Sequence, residues 1–267
     1  MTSSRAIQAL LVCGPVALAF GMGACGRVDA DEAAANEATD SMEVTQSEGA
    51  LVTSAVQDDT TASLNAADLA AAAAARGATR FHPAGCATVS ISGTTLTYVL
   101  TDCTGRFGLV RVTGTLVAVL SDGSEGLHIA VRGQGLKVNR ATIDLDATAV
   151  LSDDAGKRKL VVTTDGSGVG PRGNSFTRTG SYTIERDLTT ACVSLDGQWA
   201  LQVGARTRTT SVTGLERCDN MCPAAGGQIV HTGFLGRTIT VTLDGSAVAH
   251  WESSTGRSGT VDLTCGT

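Results

Sequence analysis

Six cysteines beyond the N-terminal region are the residues best suited to chemistry, either as disulfides or as metal ligands. They are Cys86, Cys103, Cys192, Cys218, Cys222 and Cys265. An even number of cysteines in an exported domain predicts disulfide bonds. The segment CDNMC places Cys218 and Cys222 four residues apart, and Cys192 and Cys265 would complete four zinc ligands. The chain has no paired Cys-x2-Cys spacing of the kind typical of structural zinc, so we favour disulfides and predict no metal site.

The order of the cysteines along the chain suggests which pairs form. Cys86 and Cys103 flank one predicted hairpin whose midpoint falls near Thr94 and Thr95, so the two sulfurs would lie nearly opposite each other. A second pair would brace the next long hairpin, and a third would tie the last strand back to the body. We therefore predict the disulfides Cys86–Cys103, Cys192–Cys218 and Cys222–Cys265, of which the second and third assignments could be exchanged.

No catalytic motif accompanies these cysteines. The sequence lacks G-x-S-x-G, H-E-x-x-H, S-x-x-K and a P-loop, and the Gly-rich segment DGSGVGPRGN lacks the Lys-Ser/Thr that binds phosphate. The four histidines, His82, His128, His231 and His250, show no metal-ligand spacing. We predict no catalytic residue and no cofactor. If a site were built from loops, His231, His250 and Glu252 would be the first residues to test.

Two pairs of carboxylates stand at the spacing that paired-acid catalysis needs. Asp144 precedes Asp146 by two residues, as Glu185 precedes Asp187, and this spacing puts each pair on one face of a strand. A strand face that is simply exposed to water has the same pattern. We favour this second interpretation.

The charge of the chain is divided unevenly along its length. The formal net charge is −6, but residues 26–62 contain nine acids against one Arg, whereas residues 77–267 contain 17 basic and 16 acidic residues. The body is therefore nearly neutral, and Arg206 with Arg208 on one strand face does not make a nucleic-acid surface. We predict no nucleic-acid partner. Trp199 and Trp251 are interpreted as core residues.

Apolar and polar residues alternate at period two from Ala87 onward. In TIDLDATAVLS the apolar residues from Ile143 to Leu151 point one way and the polar residues the other, as in half-buried antiparallel strands. Asp-Gly pairs starting at positions 122, 165, 196 and 244 predict hairpin turns. A change of face near Gly133 and Gly135 predicts a β-bulge.

These patterns predict an all-β body of about 190 residues with roughly ten to twelve strands. Sequential hairpins favour an antiparallel meander that forms a barrel or a strongly curved sheet. A two-sheet β-sandwich is the alternative.

Two segments lie in front of this body. Residues 25–62 are rich in Ala, Glu, Asp, Thr and Ser and contain no aromatic residue, so we predict an acidic disordered tether. One short helix is predicted at residues 65–76, where Asn65 can cap an Ala-rich run and Gly77 can end it. The disulfide-stabilised domain, including this helix, is placed at residues 63–267.

The first 24 residues have the features of a secretory signal peptide. Arg5 supplies the positive charge before an apolar run from Ala6 to Phe20. A transmembrane helix needs about 20 apolar residues, so this run is too short to span a bilayer. Cys13 lies within it and would leave with the signal peptide.

The segment GMGACGR at positions 21–27 resembles the lipobox of bacterial lipoproteins, in which small residues precede a lipid-modified cysteine. Gly23 and Ala24 match that pattern, whereas Met22 departs from the usual Leu. The resemblance covers residues 1–26 and implies that Cys25 carries the lipid and becomes the first residue of the mature chain. By the same analogy, the residue after the lipid-modified cysteine is Gly26 and not Asp, which implies that the protein is sorted to the outer membrane. It would lie at the periplasmic face of that membrane or at the cell surface.

The sequence therefore predicts a membrane-anchored envelope lipoprotein that serves as a non-catalytic binding or structural module. Its partners would be the membrane, through Cys25, and an envelope protein or a small apolar ligand. One alternative is a β-barrel carrier of a lipid or small apolar ligand, since a closed meander can enclose an apolar cavity. The other is an envelope hydrolase with a loop-built site.

Overall fold

The computed structural model describes most of the chain from residue 65 onward and a few residues before it. The described residues are 30–32, 34–35, 38–39, 65–104, 111–154, 156–170, 173–190, 192–218, 221–233, 235–263 and 265. The predicted signal peptide, Cys25 and most of the predicted tether lie outside them.

Thirteen antiparallel strands form one sheet in which every strand pairs with its neighbours in sequence. They are β1 (Ala87–Ser92), β2 (Thr95–Thr104), β3 (Arg111–Gly123), β4 (Gly126–Val138), β5 (Ala141–Asp154), β6 (Lys157–Val169), β7 (Ser175–Asp187), β8 (Cys192–Val203), β9 (Arg206–Cys218), β10 (Gln228–Thr232), β11 (Thr238–Thr242), β12 (Val248–Ser253) and β13 (Ser258–Asp262). The predicted all-β antiparallel meander is confirmed. Strands β1 and β13 are the two edges, so the described strands form one open sheet, with no hydrogen-bonded closure into a barrel.

Two of the four Asp-Gly pairs do not form turns, which corrects the sequence interpretation. The pairs starting at 122 and 244 lie at hairpin turns, but Asp165 and Asp196 lie inside β6 and β8. Gly197 is required by packing, because a Cβ there would overlap the side chain of Tyr182 and lie 2.6 Å from its Cα. A glycine next to an aspartate can thus mark a close approach between strands instead of a turn.

The predicted β-bulge is present in β4. The register of β4 against β5 shifts between Gly133 and Leu136, and Gly135 has a φ of 60°. The backbone N–H of Gly135 donates to Asp144 Oδ1 at 2.7 Å, so the exposed carboxylate of Asp144 holds the bulge. Bulges of this kind bend a strand and increase the local twist.

One face of the sheet, called the inner face, is buried in every long strand. Leu127, Leu160, Ile229 and Val241 are each 0% exposed, whereas Val99 on the opposite, outer face is 46% exposed. A sheet must bury its apolar face against other elements. We infer that the sheet curves around its inner face, which agrees with the strongly curved form of the prediction.

Helix α1 (Ala66–Arg76) covers the inner face of the first strands and agrees with the predicted helix. Asn65 caps it, since its Oδ1 accepts from the N–H groups of Ala67 and Asp68 at 2.9 and 3.2 Å. The N–H of Ala66 donates to Asp122 Oδ1 in β3 at 2.8 Å, which ties the start of the helix to the sheet. Leu69 is buried against the strands.

The described residues between 30 and 39 are also helical and belong to the same core. Ala35 and Ala38 are 0% exposed. These residues fall within the segment for which a disordered tether is predicted, and they add to the single short helix expected from the sequence. The alanines favour a helix and lose little side-chain entropy on burial, and the many acidic and polar residues around them conceal this tendency.

The structure joins the cysteines in the three pairs expected from the sequence, with Cα–Cα distances of 5.3, 4.0 and 4.9 Å. These are Cys86–Cys103, Cys192–Cys218 and Cys222–Cys265. Cys86 directly precedes β1 and Cys265 follows β13, so two of the bonds hold the edges of the sheet. Disulfides of this kind indicate an oxidising, exported environment.

Candidate functional site

The inner face carries a polar cluster, called the His231 cluster, on strands β7 to β10. Its members are Arg178, Trp199, Arg208, Thr210 and His231. The register places Trp199 opposite Thr210 and Thr210 opposite His231, so neighbouring strands supply them. The guanidinium carbon of Arg178 lies 6.0 Å from the ring centre of Trp199, which is a cation–π distance.

Thr210 and His231 have the spacing of a nucleophile and its base. Thr210 Oγ1 lies 2.8 Å from His231 Nδ1. The two residues are only 2% and 0% exposed, so a substrate does not reach them from solvent. Burial, and secondly the charge of Arg208, lower the pKa of His231 to about 4. The ring is therefore neutral and a weak base at pH 7, and we interpret the pair as a core hydrogen bond.

A second polar group, called the Asp31 cluster, joins the N-terminal segment to two turns of the sheet. The carboxylate of Asp31, only 1% exposed, accepts from Arg237 Nη1 and from Thr255 Oγ1, each at 3.0 Å. Arg257 Nε lies 3.9 Å from the same carboxylate. Arg237 belongs to the β10–β11 turn and the other two residues to the β12–β13 turn. The two turns are thus fastened to each other and to the segment in front of the body.

The three residues named for a hydrolase are not brought together. His231 lies on the inner face, whereas His250 and Glu252 are exposed on the outer face of β12. His250 Nε2 instead lies 3.3 Å from Asp244 Oδ2. Because side chains on opposite faces of a sheet cannot share a site, this set does not form a catalytic centre.

The carboxylate pairs are engaged in ion pairs and turns on the sheet surface. Asp146 lies 3.2 Å from Arg132 Nε, and Glu185 lies 3.7 and 3.9 Å from two lysine ammonium groups. Backbone hydrogen bonds, first from Thr190, lower the pKa of Asp187. These contacts agree with the solvated strand faces that the sequence suggested.

The cysteines considered as zinc ligands lie in disulfides. Cys192, Cys218 and Glu216 offer donor atoms within 4.8 Å of one another. Metal binding by cysteine requires the thiolate, and the Cys192–Cys218 bond removes it. This group therefore has no metal-binding thiolates while the bond is intact.

A buried arginine is not among the residues expected from the sequence. Arg158 in β6 is 2% exposed, and its Nε donates to Asp153 Oδ1 at 3.0 Å. Arg186 in β7 lies directly opposite. The two-residue alternation that predicts Leu160 on the inner face also predicts Arg158 there, so the sequence pattern could have identified this buried arginine.

No helix among the described residues is long and apolar enough to cross a membrane. Comparison with known proteins identifies no relative: no protein-family model matches the sequence, no curated protein matches it, and no solved structure matches it. Function must therefore be inferred from the residues and their geometry.

Proposed function

We propose that this chain is an exported lipoprotein of the bacterial envelope, anchored through a lipid on Cys25, whose sheet is a non-catalytic binding or structural module. The observation that carries the proposal is the lipobox-like segment GMGACGR directly after an apolar run. The three disulfides support export, because such bonds persist in oxidising compartments. Placement in the outer membrane rests on Gly26.

The polar residues of the sheet support a role without catalysis. The buried Thr210–His231 pair is closed to solvent, and the exposed His250 pairs with Asp244. Arg158, the buried cation at the other end of the inner face, pairs with Asp153. Each of these side chains thus has a structural contact within the described part of the chain.

Fatty-acid labelling in the bacterial host tests the anchor. We expect the wild-type chain to incorporate an alkyne-tagged fatty acid and to fractionate with membranes, and the Cys25→Ser variant to do neither. Cys13→Ser is the matched control, since that cysteine lies inside the apolar run. Labelling that persists in Cys25→Ser would show that the lipid, if any, is attached elsewhere.

The inner face favours a second candidate function, a carrier of a lipid or small apolar ligand. Apolar side chains continue across this face from β2 to β13 in a single core, and the sheet is open at β1 and β13. In a carrier, α1 and the helical residues around Ala35 would move aside for the ligand, and the curved sheet would close further toward a barrel.

Native mass spectrometry of the mature chain separates these two functions. Three disulfides lower the mass of the protein by six hydrogens. If the measured mass shows this loss and nothing is added beyond the lipid anchor, the result supports the binding or structural module. An additional mass that organic solvent extracts supports the carrier, and its identity names the ligand.

A further inference from the structure

The meander places its turns alternately at two ends of the sheet. The turns β2–β3, β4–β5, β6–β7, β8–β9, β10–β11 and β12–β13 lie at one end, called the Arg237 end, and the remaining turns lie at the Asp244 end. We propose that the Arg237 end faces an anionic lipid bilayer and that Leu235 enters the interface between headgroups and acyl chains. This inference rests on the proposed lipid anchor at Cys25.

The Asp31 cluster determines which end of the sheet lies near the anchor. Asp31 follows Cys25 by six residues. An extended chain covers at most about 3.6 Å per residue, so the cluster lies within roughly 20 Å of the lipid-modified cysteine. The 13-residue strands β3 and β4 span about 43 Å at about 3.3 Å per residue. The anchor therefore holds the Arg237 end close to the bilayer, and the Asp244 ends of the long strands point away from it.

Leu235 is the most exposed large apolar residue of the described chain, at 84%. It lies in the β10–β11 turn, the turn that also supplies Arg237 to the Asp31 cluster. Hydrogen bonds of 2.9 Å, from the Gly233 N–H to the Arg237 carbonyl and from the Gly236 N–H to the Gly233 carbonyl, order this turn. A single exposed leucine is ordinary on a protein surface. This one is fastened, through Arg237 and Asp31, to a segment six residues from the anchor.

The charges at the two ends differ in sign. Counting the turns and the two flanking strand residues on each side, the described side chains at the Arg237 end include six cations against one acid, Glu252. The cations are Arg111, Lys137, Arg140, Arg206, Arg237 and Arg257. The same count at the Asp244 end gives four cations against five acids, which are Asp122, Glu125, Asp153, Asp187 and Asp244, and the free end of β13 adds Asp262. Three further described acids lie at this end: Asp31 and Glu32 of the N-terminal segment, and Asp102, whose Oδ2 lies 2.6 Å from Arg111 Nη1. With these included, the Arg237 end has six cations against four acids and keeps a net positive charge. Arginines and lysines near a bilayer are attracted to anionic headgroups.

Tryptophan fluorescence on the lipidated protein tests the orientation. The protein is reconstituted on vesicles that contain phosphatidylglycerol and brominated phosphatidylcholine. The bromine atoms on the acyl chains of the phosphatidylcholine quench the fluorescence of an indole that enters the interface. Leu235→Trp reports on the Arg237 end. Met221→Trp, at a residue that is 61% exposed in the loop between β9 and β10, is the matched control at the Asp244 end. The emission of wild-type protein, from Trp199 and Trp251, is subtracted.

We expect the added emission of Leu235→Trp to be quenched and that of Met221→Trp to be retained. Quenching should weaken when phosphatidylglycerol is omitted or salt is added, because both reduce the attraction of the arginines. Equal quenching of the two variants, or stronger quenching of Met221→Trp, overturns the orientation.

Co-flotation with the vesicles, measured on the same samples, reports on the anchor separately. Protein that does not float refutes the lipid anchor and with it the orientation, whereas protein that floats without quenching of Leu235→Trp refutes the orientation alone. Combining Leu235→Trp with Asp31→Ala should lower the quenching, since the released segment lengthens the chain between lipid and sheet. Unchanged quenching in that double variant refutes the positioning role of Asp31.

Discussion

His231 is expected to make the stability of this protein depend strongly on pH. Its pKa is lowered from 6.5 to about 4 by burial and by Arg208. Between these two values the unfolded chain binds a proton that the folded chain does not, so the free energy of unfolding falls as the pH falls. With about 1.4 kcal/mol per unit of pKa, the loss relative to pH 7 reaches about 2 kcal/mol at pH 5 and about 3 kcal/mol at pH 4.

Urea unfolding at constant ionic strength and a series of pH values measures this effect. The His231→Gln variant removes the titrating ring, so it should be less stable at pH 7 through lost packing, yet lose about 2 kcal/mol less than wild type between pH 7 and pH 5. His128→Gln is the matched control, because His128 is exposed on the outer face of β4.

Two results would refute this reasoning. One is a pH dependence of stability that is the same in His231→Gln as in the wild type. The other is a His231 ring that protonates near pH 6.5 in an NMR titration of the folded protein.

Two further predictions concern the bonds and contacts that hold the sheet. Replacing one disulfide at a time by a pair of alanines should lower the free energy of unfolding, measured in urea, and the loss should grow with the number of residues between the two cysteines. We expect about 3.1 kcal/mol for Cys86–Cys103, with a separation of 17 residues, and about 3.5 kcal/mol for Cys192–Cys218, with 26. For Cys222–Cys265, with a separation of 43 residues, we expect about 4.0 kcal/mol. The reverse order would contradict the chain-entropy explanation. Gly197→Ala should cost about 2 kcal/mol or more through its overlap with Tyr182. Gly233→Ala, with no neighbouring atom within 4 Å of its Cβ, should cost little, and equal melting temperatures for the two variants would contradict the packing argument.

Period-two alternation predicted the meander, its buried face and the bulge near Gly133, although the expected number of roughly ten to twelve strands is lower than the thirteen described. Side chains on a strand point to alternate faces, so the pattern and the burial coincide for residues such as Ala147 and Leu151. The pairing of Cys86 with Cys103 followed from the same geometry, since residues flanking a hairpin lie opposite each other.

Features that depend on contacts between distant segments could not be predicted in this way. Whether a meander closes depends on curvature summed over all of its strands, and the alternation of a single strand does not reveal it. The helical residues around Ala35 are stabilised by burial against the inner face, which local composition does not show. The Asp31 cluster joins residues more than 200 positions apart, and no spacing in the sequence indicates it.

The order of the disulfides along the chain has a consequence for biogenesis. The first cysteine of the domain bonds to the second, the third to the fourth and the fifth to the sixth, and each strand needs only the strand before it. A chain that crosses a membrane from its N-terminus presents its cysteines in that same order. For each odd-numbered cysteine, the next thiol to emerge is the native partner, so oxidation in order of arrival gives the native bonds without reshuffling. Pairing between strands that are neighbours in sequence also lowers the contact order, which speeds folding. The domain can therefore assemble strand by strand while the rest of the chain is still being exported.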